Sequence, residues 1–230
     1  LITMVVICLL VSCSEQRRTT VVNYPVNKPF VYNNKIEIAG TGSKDEKKQL
    51  TYTSENNKYI IPCNDEADLL EQFINIWIET DPTIVSGWNS EYFDIPYLYH
   101  RICKVLGENE AKKLSPLGIV SVRDFFNKKT QTDESVVNIA GVNHLDYMLL
   151  HKKYIMKQEP SYKLGDIGEK YVKLGKVEYE GSLDKLFKED VNKFIEYNLR
   201  DVEILIKLDE KLQFVALTVN LCHLCHVPYE

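Results

Sequence analysis

The chain has 230 residues, with 28 basic against 33 acidic side chains, a formal charge of −5 and 44% hydrophobic content. With a mean hydropathy of −0.25, this profile excludes a disordered tail, a collagen-like repeat and a multi-span membrane protein. A pI near 5.7 argues against non-specific coating of nucleic acid, which needs a local excess of Lys and Arg, and leaves room for a carboxylate-lined metal site.

The first residue is Leu1 rather than Met, inside the apolar run Leu1 to Val11. No basic segment precedes that run, and it is too short to cross a bilayer. Its Ile, Val and Thr content reads as a buried strand cut at its start, so the chain is expected to be a piece of something longer. Residues 14 to 60 are polar and turn-rich, with Lys35 to Ala39 and Gln49 to Thr53 as short strands. From Asn64 the period changes. Leu69, Leu70, Phe73, Ile74 and Trp77 recur at helical spacing, with Asn64 or Asp65 as N-cap. Thr83 to Gly87, after Asp81-Pro82, is a short apolar run that fits a buried strand, and Ile95 to Leu106 is a helix closed by Gly107, with Pro96 in its first turn.

Residues 119 to 147 alternate, with the polar stretch Lys128 to Ser135 between two extended pieces, which predicts a hairpin, placed between Phe126 and Val142 and ending in Val142 to Tyr147. A helix near Leu164 to Leu174 comes next, then the loop Gly175 to Gly181, then one long helix from about Asp190 to beyond Leu217. Strand, loop and helix in succession make an α/β chain. With no internal repeat and no low-complexity linker, a single domain is the simpler organisation.

The six cysteines, at 8, 13, 63, 103, 222 and 225, read as reduced thiols. Cys222 to His226 spells C-x-x-C-H, a c-type haem pattern that stands alone here. No second pair completes a zinc shell, so the run reads as thiols and imidazoles at a helix end.

The chemistry concentrates in two acids. On a helical wheel of residues 193 to 212, Glu196, Arg200, Glu203, Lys207 and Glu210 share one arc, and Phe194, Val202, Ile204, Leu205, Leu208 and Leu212 share the opposite one. Asp201 lies inside the apolar arc, with Tyr197 one turn earlier on the same face. A carboxylate there calls for a cation, a donor or a metal. Asp209 falls in the same arc, so the wheel alone does not decide. The second acid is Asp94, at the end of Gly87 to Asp94, where a strand gives way to a helix. It is open to two readings, a ligand at a sheet edge or a plain helix cap.

Gly87-Trp88-Asn89 through Phe93-Asp94-Ile95-Pro96 resembles the second exonuclease motif of family B DNA polymerases, N-x(2,3)-F/Y-D. Tyr197-Asn198-Leu199-Arg200-Asp201 resembles their third, Y-x(3)-D. The order and spacing of the two, with Leu114-Ser115-Pro116, Leu145-Asp146-Tyr147, His151-Lys152-Lys153, Pro160-Ser161-Tyr162 and Gly175-Lys176 between them, look most like the T-even-type bacteriophage members. The resemblance runs from about Asp65 to Leu217, and residues 1 to 64 match only in general character.

The resemblance implies a ribonuclease H-like exonuclease fold, a mixed β-sheet flanked by helices with an inserted β-hairpin. Residues 1–217 would form the 3'-5' exonuclease domain, and residues 218–230 would begin the connection to a polymerase palm. It further implies two divalent metal ions, Mg²⁺ or Mn²⁺, held by Asp94 and Asp201, with Tyr197 orienting the attacking water. Asn89 and Phe93 would position a frayed 3' end by hydrogen bonding and packing. Lys176 is open to two readings, a phosphate contact or a solvated loop lysine. The hairpin would help part primer from template, and the pairs Lys112-Lys113, Lys128-Lys129 and Lys152-Lys153 would track a single strand or form solvated faces.

The implied partners are DNA, as a single-stranded 3' end and primer-template, the remaining polymerase domains, and a sliding clamp reached through other regions, with no membrane. The implied compartment is the cytoplasm, that of an infected bacterial host for a viral protein. The chain departs from the family in one respect. The first exonuclease motif, D-x-E on an opening strand, does not precede Leu1 to Val11, and neither Asp45-Glu46 nor Asp65-Glu66 replaces it. The expectation is that the isolated chain binds metal poorly and has little or no exonuclease activity. The alternatives are a stand-alone exonuclease on RNA or oligonucleotides, and a catalytically dead exonuclease-fold scaffold or single-strand clamp.

Overall fold

The structure is a computed structural model that describes residues 36–41, 58–127, 131–179, 181 and 183–229. The expected strands Leu1 to Val11 and Gln49 to Thr53 lie outside the described residues. Strand β1, Ile36–Thr41, pairs in parallel with β2, Lys58–Cys63. Helix α1, Glu66–Thr80, starts where Asp65 accepts the amide of Asp68 at 2.9 Å. It ends at Asp81, in the left-handed region at φ 44°. The face predicted from spacing is the buried one: Leu69, Leu70, Ile74 and Trp77.

Strand β3, Ile84–Gly87, pairs in parallel with β6, Asn143–Asp146. Its alternating side chains enter two different cores. Ile84 joins a cluster with Leu145, Ile167, Ile204 and Leu208, and Val85 joins one with Trp77, Leu98, Ile102 and Leu114. A strand covered on both faces explains why the run is continuously apolar. Each such fully buried side chain contributes about 1.5–3 kcal/mol. Helix α2, Asp94–Val105, covers the second cluster, and its Arg101 makes a two-pronged ion pair with Glu66 of α1. The short helix α3, Glu108–Ala111, and a 3-10 turn, Lys112–Leu114, close this half, where Trp77 Nε1 donates to the Leu114 carbonyl at 2.7 Å.

Strands β4, Val120–Asn127, and β5, Thr132–Ile139, form an antiparallel ribbon. Then come α4, Tyr147–Tyr154, α5, Leu164–Val172, α6, Leu183–Glu189, α7, Val191–Leu212, and α8, Phe214–Cys225. Helices α5 and α7 touch where Gly168 has no side chain: a Cβ there would meet Ile204 Cγ2 and the Leu174 carbonyl, each at 2.6 Å. Among the described residues no helix is long and apolar enough to cross a membrane.

Three sequence expectations are corrected. The hairpin is Val120 to Ile139, and Thr132 to Ser135, read as part of the polar stretch between two extended pieces, already pair, because polar residues suit a ribbon with a solvated face. Residues 142 to 147 are not the end of that hairpin, since 143–146 pair with β3 and Tyr147 opens α4. The last element is two helices, broken at Gln213 with φ 54°, and a further helix, α6, precedes it. The strands of the described residues form three two-stranded pairs, two parallel and one antiparallel.

Candidate active site

β3 delivers the chain to a tight turn, 88–91, and α2 begins at its far side with Asp94 as its first residue. Asn89 adopts φ 62°, a left-handed conformation that Asn tolerates better than most side chains. Trp88 Nε1 donates to the Tyr162 carbonyl at 3.0 Å and ties the turn to the segment before α5. Phe93 stands 56% exposed and lies parallel to Tyr97, ring centres 6.3 Å apart.

α7 presents Tyr197 and Asp201 toward the same cleft, which has a volume of about 1020 Å³ and is lined by both acids, Asn89, Phe93, Tyr197 and Lys176. Every one of the six predicted site residues therefore borders a single space. Lys176, from the loop after α5, is tied to both α7 residues. Its ammonium donates to Asp201 Oδ2 at 2.8 Å and to the Tyr197 hydroxyl oxygen at 3.0 Å. The missing side chain of Gly165 leaves room for the Lys176 stem, since a Cβ there would lie 3.1 Å from Lys176 Cγ.

The electrostatics follow from burial and crowding of like charge. Burial, then the neighbouring Asp146 carboxylate, push Asp94 up to about 7, with a smaller push from Asp201, despite its place at a helix N-terminus. Burial also raises Asp201, against the pull of Lys176. For Lys176 burial favours the neutral amine, but the bonds to Asp201 and Tyr197 outweigh it and its pKa is raised.

Among the described residues Asp201 Oδ1 is buried with no hydrogen-bond partner. An orphaned carboxylate oxygen beside a second, proton-retaining carboxylate fits a hard divalent cation as donor set. Among the described residues no group of three or more acids, histidines or cysteines is arranged to hold a metal.

The motif reading missed Asp146, His144 and Ser90. Asp146 is 3% exposed and accepts amides from the turn 88–91 and from α4 alike. An Asp before the apolar run Tyr147 to Leu150 is a helix N-cap signal, which could have found α4. The paired lysines are mostly engaged: Lys113 with Glu110, and Lys152 over the Tyr162 ring at 4.8 Å. Lys128-Lys129 lies outside the described residues. The C-x-x-C-H run closes α8, with Cys222 and Cys225 free thiols.

The family model described as DNA polymerase family B, exonuclease domain, matches residues 5–167. The match thus reaches well into residues 1 to 64, farther than the motif resemblance did, and stops short of α7. The chain is 36% identical over 161 residues to the DNA-directed DNA polymerase of Escherichia phage RB69, covering 70% of this chain and 18% of that protein. It is 33% identical over 172 residues to the DNA-directed DNA polymerase of Enterobacteria phage T4, covering 74% and 19%. DNA polymerase 1 of Saccharolobus solfataricus is 33% identical over 156 residues, covering 63% and 15%. The chain therefore spans about a fifth of the length of the phage relatives it matches. On the match over residues 5–167 and the likeness to these polymerases, the chain belongs to the exonuclease-domain family of the family B DNA polymerases.

Proposed function

We propose that the chain is the proofreading part of a replicative DNA polymerase, a ribonuclease H-like domain that hydrolyses the 3'-terminal nucleotide of DNA. The observation that carries this reading is the convergence of Asp94 and Asp201, about a hundred residues apart, on one cleft with Tyr197 and Lys176. Asp94 and Asp201 would hold divalent cations, Mg²⁺ or Mn²⁺. When bound, such a pair of ions activates a water and stabilises a leaving 3' oxygen.

The chain's own groups do the rest. Tyr197 presents a hydroxyl beside Asp201 that can orient the attacking water, with Lys176 holding the ring in place. Phe93 offers an exposed aromatic face to the terminal base, and Asn89 lies at the same rim. The ribbon β4–β5 would help part primer from template, residues 218–230 would lead toward a palm, and a sliding clamp would act through other regions, in the cytoplasm of an infected bacterial host. With two carboxylates of a larger set, the 230 residues alone are expected to show little or no turnover.

In a polymerase carrying this domain, Asp94→Ala or Asp201→Ala should abolish 3' excision and leave primer extension largely intact. Loss of extension with excision retained would contradict the assignment. Robust metal-dependent degradation of single-stranded DNA by the 230-residue chain would overturn its expected inactivity.

A further inference from the structure

β6 is four residues long, yet two of its side chains hold the turn that leads to Asp94. His144 and Asp146 are two positions apart on a strand and so point to one face. The Asp146 carboxylate accepts four backbone amides. Met148 at 2.9 Å and Leu149 at 3.3 Å belong to the first turn of α4, and Asn89 and Glu91, each at 3.1 Å, belong to the turn after β3. Between those two, Ser90 Oγ lies 2.8 Å from His144 Nε2, and Ser90 is itself buried. Three consecutive residues of the turn are thus tied to one short strand. The turn folds so closely onto β3 that a Cβ on Gly87 would lie 2.6 Å from Ser90 Cβ.

We propose that His144 and Asp146 are positioning residues of the site: they fix the turn 88–91 on β6 and so set where Asn89 and the start of α2, with Asp94, meet the DNA end. The inference rests on the proposed exonuclease reading. It gives the Asp146 carboxylate a bracing role, with three amides on Oδ1 and one on Oδ2.

Two substitutions separate positioning from folding. Asp146→Asn keeps one carbonyl oxygen, and Asn caps helices as well as Asp, so α4 stays capped while Glu91 loses its acceptor. In the 230-residue chain, amide exchange at Glu91 should quicken about tenfold or more with Met148 and Leu149 unchanged. Binding of a short oligothymidylate ending in a phosphorothioate, with Mn²⁺ present, should weaken about tenfold, the worth of one strong hydrogen bond. His144→Leu should weaken the same binding, and His144→Gln, whose amide nitrogen reaches a similar place, should restore it.

Uniform acceleration of exchange across the chain, or fast exchange at Glu91 with oligothymidylate binding unchanged, would overturn the positioning role. Failure of His144→Gln to rescue would overturn the part of His144. The exonuclease reading itself is decided separately, by whether Asp94→Ala abolishes 3' excision in a polymerase carrying this domain, and wild-type chain that binds no oligothymidylate would overturn the link from the turn to the DNA end, with the exchange pattern still deciding whether Asp146 holds the turn.

Discussion

The Lys176 ammonium sits 2.8 Å from Asp201 Oδ2 while Asp201 Oδ1 is buried without a partner among the described residues. One carboxylate therefore has one oxygen neutralised by the chain's own cation and one open to another. An ammonium and a divalent ion compete for the same negative charge. Lys176→Met, which keeps the stem and removes the charge, should raise the affinity of the chain for Mn²⁺ by about tenfold in the absence of DNA. Calorimetric titration checks it, and an unchanged Mn²⁺ affinity would sink the idea.

Asp94 sets a pH dependence of stability. Its carboxyl is raised from 3.8 to about 7 in the folded chain. Below pH 4 the acid is protonated folded or unfolded and contributes nothing to the difference. Between pH 4 and 7 the unfolded chain has released its proton and the folded one has not, so stability falls as pH rises, by a few kcal/mol in all. Asp94→Asn resembles the protonated form. It should raise Tm at pH 8 and lose that advantage near pH 4, as thermal melts without divalent ions would show; an equal shift at both pH values would contradict the assigned burial.

Gly168 is the contact point of α5 and α7. A methyl group there meets a backbone oxygen as well as Ile204, and a carbonyl cannot rotate aside. Gly168→Ala should cost about 1–3 kcal/mol in urea unfolding through overpacking, despite the better helix propensity of Ala. A neutral or stabilising effect would mean that the two helices can separate freely.

Gln213 ends α7 in the left-handed region at φ 54°. That conformation costs a side-chain-bearing residue about 1–2 kcal/mol, and Gly adopts it without strain. The extra backbone freedom of Gly in the unfolded chain offsets part of the gain. Gln213→Gly should therefore stabilise by up to about 1 kcal/mol, read as a rise in the urea midpoint, and destabilisation would show that the Gln side chain holds the corner.

Much of this architecture was legible because it is written in local pattern. α1 follows from Leu69, Leu70, Ile74 and Trp77 with Asp65 ahead of them, and β3 from an apolar run between breakers. Asp201 was found because a carboxylate in an apolar arc is an anomaly. The break at Gln213 has no Gly or Pro to mark it, and Phe214 to Leu217 continues the apolar text. β6 was absorbed into the preceding hairpin because Asn143 to Asp146 is too short and too polar to announce a buried strand. The bonds of Asp146 span 55 and 57 residues, a distance that no local period encodes.

Those spans also bear on how the site comes into being. Two parallel strands cannot meet through a tight turn, and β3 must wait for α2, α3 and the β4–β5 ribbon to be laid down before β6 reaches it. Closing so long a loop is slow compared with zipping a ribbon whose strands adjoin in sequence. The ribbon is therefore expected to order early, and the turn before Asp94 among the last parts. An incompletely folded chain would thus hold its helices and ribbon before it brought Asp94 and Asp201 to one cleft.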